Sequence, residues 1–201
     1  MLTKLAMTFV KFLFSNMVSR LNEYFESIQP LYPLFRKQAL FNQYSAGQVP
    51  QAVLASIFAN TAALSTNAEI MVRGPNTIGE HYATLTRQAC SPLCMSDIPA
   101  TISDLRALFL LALYEFRTSP NRRAWATAGH LVRLAYHYGL HQVDNVVNCT
   151  FYEEGVTTSD DLESWRYLWW SIYSKSKRAF VVYFLLGFRL HTVLSVVLRL
   201  L

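Results

Sequence analysis

Apolar residues step by three and four along almost the whole chain, and that spacing limits the possible folds more than any other feature. Phe14, Met17, Val18, Leu21, Phe25 and Ile28 form one stripe, as on a helix that buries one side. Pro30 and Pro33 close it, because neither proline nor the residue before it continues a helix. Val53, Leu54, Ile57, Phe58 and Leu64 mark a second helix that begins near Pro50. Thr77 and Glu80 have the spacing of a capping box, with Ile78, Tyr82, Leu85 and Ala89 behind it. Thr101 and Asp104 repeat that spacing ahead of Leu105, Leu108, Phe109, Ala112, Leu113 and Phe116. Ser119 and Pro120 read as an N-cap and a first helical residue, and Gly139 as a stop. Between them Trp125, Ala128, Val132, Ala135 and Tyr136 line one side, and Ala124, Ala126, Ala128 and Ala135 leave room for a close neighbour. Residues 142–158 are polar and loop-like. Ser159, Asp160 and Asp161 then open a helix whose apolar positions are Leu162, Trp165, Leu168, Trp169, Ile172 and Tyr173. Before the tail, no segment joins β-branched enrichment to period-two alternation. The expected fold is all-α, with about six helices ahead of the tail.

Charge divides the chain at one place. Residues 1–173 carry 13 Lys/Arg and 13 Asp/Glu, so the net +5 lies in 174–201, on Lys175, Lys177, Arg178, Arg189 and Arg199. A DNA-reading face spread over the fold would need a basic excess elsewhere. The tail is also apolar: 17 of the 23 residues in 179–201 are hydrophobic, with Arg189 dividing the stretch. A spanning helix needs about 20 apolar residues with few charges. The tail thus reads as an amphipathic or aberrant segment ahead of a membrane span. At the other end, Lys11 interrupts the apolar N-terminus, and no small-residue cleavage site follows. Three cysteines are too few and too scattered for a disulfide scaffold. Asn148-Cys149-Thr150 fits the glycosylation pattern, which has meaning in a secreted chain alone.

The candidates for chemistry are weak. No phosphate-binding glycine loop, dinucleotide fingerprint, zinc-protease helix or nucleophile elbow is present. His130, His137 and His141 are the best metal set, with no acid or cysteine at ligand spacing to complete it. Cys90 and Cys94 have three residues between them, with Cys149 distant, unlike a zinc ribbon. Cys90 with His81 lacks an orienting third group. Glu153-Glu154 reads as a solvated loop, Asp160-Asp161 as a helix start and Arg122-Arg123 as a wet helix face. Trp165, Trp169, Trp170 and Tyr173 read as core. The reading therefore names no catalytic, metal-binding, DNA-binding or cofactor residue, and the chain is not expected to be an enzyme.

Four segments carry a resemblance: LNEYFESIQPLYPLF from Leu21, LRALFLLALYEF from Leu105, NRRAWATAGHLVRLAYHYGLH from Asn121 and SWRYLWWSIY from Ser164. In that order and at those separations they resemble the middle homology region of fungal transcription factors. That region is an all-helical regulatory domain, which usually follows a two-zinc, six-cysteine cluster. The resemblance implies transcription regulation in the nucleus, often of metabolic or secondary-metabolite pathways, and action through transcription factor relatives or co-regulators. Family members bind DNA through the cluster, for which three cysteines do not suffice. After Tyr173 the family's pattern gives way to Ser174-Lys175-Ser176-Lys177, where the charge also breaks. The expected organisation is a partial, truncated regulatory domain over 1–173 and a non-matching apolar, basic tail over 174–201. The alternative is a small membrane-associated helical protein tethered by that tail.

Overall fold

The computed structural model describes residues 17–94, 99–145, 149–151 and 157–175. Its helices are α1 (Met17–Ser27), α2 (Lys37–Ser45), α3 (Gln51–Thr61), α4 (Ala68–Arg73), α5 (Pro75–Cys90), α6 (Ile102–Thr118) and α7 (Arg122–His137). An eighth, α8, runs over 159–175. Three-residue 3-10 turns follow α3 (Ala62–Leu64) and α7 (Leu140–Gln142), and Ser91–Cys94 extends α5. No strand occurs among the described residues, so the all-α expectation holds. The two helices beyond the expected six are the short α2 and α4, which carry little apolar periodicity.

The fold is built around α3 and α6. From Ala52 to Thr61 every residue of α3 except Leu54 is buried. A helix that is apolar or small all round belongs at the centre. It packs on α5, α6 and α1, while α6 carries α7 on its other side. Gly79 permits the tightest crossing: a Cβ there would lie 3.1 Å from the Tyr114 ring of α6 and 3.3 Å from the Ala59 carbonyl of α3. Asn60, fully buried, donates from its amide to the carbonyls of Ser56 (2.9 Å) and Leu110 (2.8 Å) and so ties α3 to α6. Arg117 donates to the Asn60 carbonyl at 2.9 Å.

Between α1 and α2 the chain turns around one side chain. The Gln29 carbonyl oxygen accepts from the Tyr24 hydroxyl (3.0 Å) and the Phe35 amide (3.3 Å), and its amide donates to the Phe35 carbonyl. Leu34 and Phe35 are thereby held in the core, and Tyr32 meets Phe109 edge-on at 5.3 Å. The prolines at 30 and 33 fit this turn, since they need no donor in it.

Helix starts bear out some cap assignments and correct others. Thr101 and Asp104 form the expected capping box. Thr77 and Glu80 do not: α5 begins at Pro75, behind Gly74 at φ +87°. Proline's fixed φ and its missing donor suit the first helical position, and glycine alone adopts the preceding angle at low cost. Glu80 is released for ion pairs. Likewise Asn121, not Ser119, caps α7, its side chain accepting from the amides of Arg123 and Ala124. At α8 the cap is Thr158: its hydroxyl accepts from the Asp161 amide (3.2 Å), and the Asp161 carboxylate accepts from the Thr158 amide (3.0 Å). Gly139 stops α7 with φ +71°, as expected.

The stripes also need correction at their margins. Val18 is half exposed, and Arg20 and Tyr24 take the buried face of α1 with Met17 and Leu21. Leu64 and Tyr136 point outward and Ala89 is exposed, while Thr86 and Cys90 continue the buried side of α5. On α7 the buried line is Ala124, Leu131 and Ala135, and Ala126 is exposed.

Candidate functional site

Two features stand out among the described residues: an apolar cavity, and a network of charges around buried Glu115 on the α5–α6–α7 side. The cavity, of about 640 Å³, lies where α1, α2, α3 and α5 converge. Phe58 and Tyr82 form part of its wall, stacked at 4.8 Å. Leu54, Leu85, Val49 and Met17 add apolar surface, and the polar groups are confined to Tyr44, Ser45, Gln51, the Tyr82 hydroxyl and the backbone. The α2–α3 loop is held by Gly47 at φ +67° and by the Gln48 amide donating to the Gln43 carbonyl at 2.8 Å. Burial pushes the Tyr82 hydroxyl up to about 12, against the opposing positive charges of Arg20 and Arg73. At neutral pH it is therefore an uncharged donor.

In the charged network, Glu115 of α6 is buried and accepts from Arg87 of α5 at 2.8 Å. Arg87 also meets Glu80 at 3.0 Å, and Arg123 of α7 lies 3.5 Å from Glu115 and 3.6 Å from Glu80. Burial opposes the Arg87 charge. The hydrogen bond to Glu115 and the charges of Glu80 and Glu115 outweigh it, so its pKa rises. Arg123 therefore does more than solvate a helix face, whereas Arg122 is exposed as expected. A second paired cation, Arg20, is fully buried against Glu23 and the Ser65 hydroxyl. Arg87, Glu115 and Arg123 join α5, α6 and α7, and Arg20 ties α1 to Ser65 beyond the 3-10 turn.

The histidines and cysteines are dispersed. His130 is half-buried with no partner for its Nε2, and desolvation followed by the charge of Arg133 lowers its pKa. His137 is exposed and lies edge-on to Tyr138, while His141 packs against Tyr136 and Trp169. No cluster of three metal-ligating side chains occurs among the described residues. Cys90 and Cys149 are buried and outside any disulfide. His81 is exposed, nine positions before Cys90 on the same helix, a separation of about 13.5 Å along the axis. Glu153-Glu154, Asn148 and the tail beyond 175 lie outside the described residues. Asp160 pairs with Arg36 at 2.6 Å. The tryptophans divide by their angle around α8: Trp165 is buried, Trp169 is half-buried against Tyr136 and Tyr173, and Trp170 is 58% exposed. Trp170 thus departs from the core assignment. It lines a shallow groove of about 420 Å³ with Leu31, Tyr32, Pro33 and Tyr167.

The sequence reading missed the cavity. Its wall combines residues from Met17 to Leu85 on four helices and a loop, and no local motif announces such a convergence. The charged network was missed as well: Glu80 reads as a capping residue and Arg123 as a wet helix face, whereas both are ion-paired.

The described residues form an all-helical domain tied by buried polar side chains. The chain belongs to the fungal specific transcription factor domain family, whose model matches residues 21–179. The Zn(2)-C6 fungal-type transcription factor FTF1a of Fusarium oxysporum f. sp. lycopersici is 28% identical over 112 residues, covering 55% of this chain and 10% of that protein. The lactose regulatory protein LAC9 of Kluyveromyces lactis is 27% identical over 154 residues, 76% of this chain and 16% of that protein. The chain thus spans a small part of the length of these relatives. No solved structure matches it.

Proposed function

We propose that this chain acts in transcription regulation, in the nucleus, as a regulatory module that works through protein contacts and catalyses no reaction. The observation that carries the reading is the family match over residues 21–179. FTF1a is named as a Zn(2)-C6 transcription factor and LAC9 as a lactose regulatory protein. The charge pattern supports contact with proteins rather than direct DNA reading. Arg20, Arg36, Arg87, Arg123 and Arg166 are all engaged by carboxylates, whereas base readout requires cations and amides directed at a groove. Its partners on this reading are relatives of its own family or co-regulators, joined as homo- or hetero-oligomers. The partial regulatory domain is assigned to 1–173, with 174–201 as an added tail.

Among the described residues no helix is long and apolar enough to cross a bilayer, and the 179–201 tail on which the membrane reading rests lies outside them. Fluorescence polarisation of the purified chain with duplex DNA, and imaging of the tagged full chain, test the proposal together. The expected results are weak, sequence-blind binding that collapses between about 50 and 200 mM salt, and nucleoplasmic signal. Salt-resistant binding to one sequence, or signal confined to membranes, would overturn it.

A further inference from the structure

We propose that the cavity between α1, α2, α3 and α5 is a binding site for a neutral, largely apolar small molecule of ring-built shape carrying one carbonyl acceptor. Size is the first argument. A volume of about 640 Å³ falls within the range of small-molecule sites, roughly 300–1,000 Å³.

The charge of the wall is the second argument. None of the described lining residues is Lys, Arg, Asp or Glu. An ionic ligand would be desolvated there with no charged side chain in the described wall to pair with. A peptide segment fits poorly for the same reason, because each residue brings an amide and a carbonyl that need partners. The wall provides few. The Ser45 hydroxyl already donates to the Phe41 carbonyl at 3.0 Å, which leaves Gln51, Tyr44 and Tyr82 as the main side-chain donors.

Tyr82 selects the acceptor. Tyr82 is 3% exposed and lines the cavity, and it brings one of the few side-chain donors to an otherwise apolar wall. A neutral phenol donates to a carbonyl oxygen, so an occupant carrying one has a partner at this wall. The flat stack of Tyr82 on Phe58, 28° between planes, suits a ring system laid against it. The inference goes beyond the transcriptional reading, because it concerns a ligand and not the output of the domain.

The test uses the purified full chain and 6-propionyl-2-(dimethylamino)naphthalene, a neutral naphthyl ketone whose emission moves to the blue on leaving water. The expected result is a saturable blue shift. Tyr82→Phe keeps the ring and removes the donor, and should weaken binding about five-fold. Ala55→Phe fills the cavity from α3 and should abolish saturation. Leu54→Trp, at a half-buried position on the same wall, does so with less strain on the core. Circular dichroism identifies a variant that has unfolded. Trp170→Ala, on the exposed groove, should leave the titration unchanged. An unsaturable signal in the unaltered chain would overturn the proposal. So would equal binding by a folded cavity-filled variant, unweakened binding by Tyr82→Phe, or loss of binding through Trp170→Ala.

Discussion

Tyr82 and His130 show how burial turns a single side chain into a pH dependence. The Tyr82 hydroxyl is held at about 12 in the folded chain against an ordinary value of 10.0. A raised value means that the folded state keeps a proton which the unfolded state loses first. Stability from this group is therefore complete below pH 10 and is lost as pH rises from about 10 to about 12. Tyr24, pushed up by burial more strongly still, extends the loss upward. Tyr82→Phe should flatten the fall of the urea midpoint between pH 10 and 12, and an unchanged slope would contradict the burial of that hydroxyl.

His130 has the opposite sign. Its pKa is lowered by desolvation and then by Arg133, so the unfolded state takes up the proton first, and stability is lost as pH falls below about 6.5. His130→Gln should reduce the loss on that limb, measured by the same denaturation. At Glu115, truncation to Ala leaves Arg87 without its buried partner. Breaking a buried pair costs about 3–5 kcal/mol, and the partial exposure of Arg87 puts the expected cost at the low end.

At the scale of the helix, the tryptophans of α8 give a direct comparison. Trp165→Ala should cost about 3–5 kcal/mol as a large buried ring is lost, whereas exposed Trp170→Ala should cost under about 0.5 kcal/mol. Equal shifts of the chemical midpoint would contradict the rotation of α8. The caps make a second comparison. Thr158→Ala and Thr101→Ala should each cost about 1 kcal/mol, and Thr77→Ala should cost less, because α5 begins ahead of it.

These helices also show what could be read from the sequence. The buried faces of α3 and α6 followed from dense apolar residues, and the Thr101 box from its spacing. Thr77 and Ser119 were misplaced because each competes with a better start nearby, Gly74-Pro75 and Asn121. Val18 and Tyr136 were assigned inward because a three-and-four rhythm fixes a stripe no more finely than about one residue, or 100° of rotation. Arg20 escaped notice because a charged residue within an apolar stripe is read as exposed, and its burial depends on Ser65, 45 positions away. The candidate cavity was illegible for a related reason, since it exists where four helices meet.

At the scale of the molecule, Leu31, Tyr167 and Trp170 leave an apolar groove open beside the end of the described chain, with Leu31 72% exposed. Contiguous exposed apolar surface promotes association. The full chain should form concentration-dependent oligomers in size-exclusion chromatography with light scattering, and a Leu31→Ser, Trp170→Ser variant should shift towards monomer. An unaltered oligomer in that variant would place the contact elsewhere.

The central claim is that the domain changes transcription through the proteins it contacts. The most direct measurement fuses residues 1–201 to an unrelated DNA-binding domain and reads a reporter in a fungal nucleus, with a Trp165→Ala, Glu115→Ala double variant, whose two losses together unfold the domain, as the control. The account predicts that the fusion moves output away from that of the DNA-binding domain alone, up or down, and that the control does not. A folded, nuclear fusion whose output equals that of the DNA-binding domain alone would contradict it.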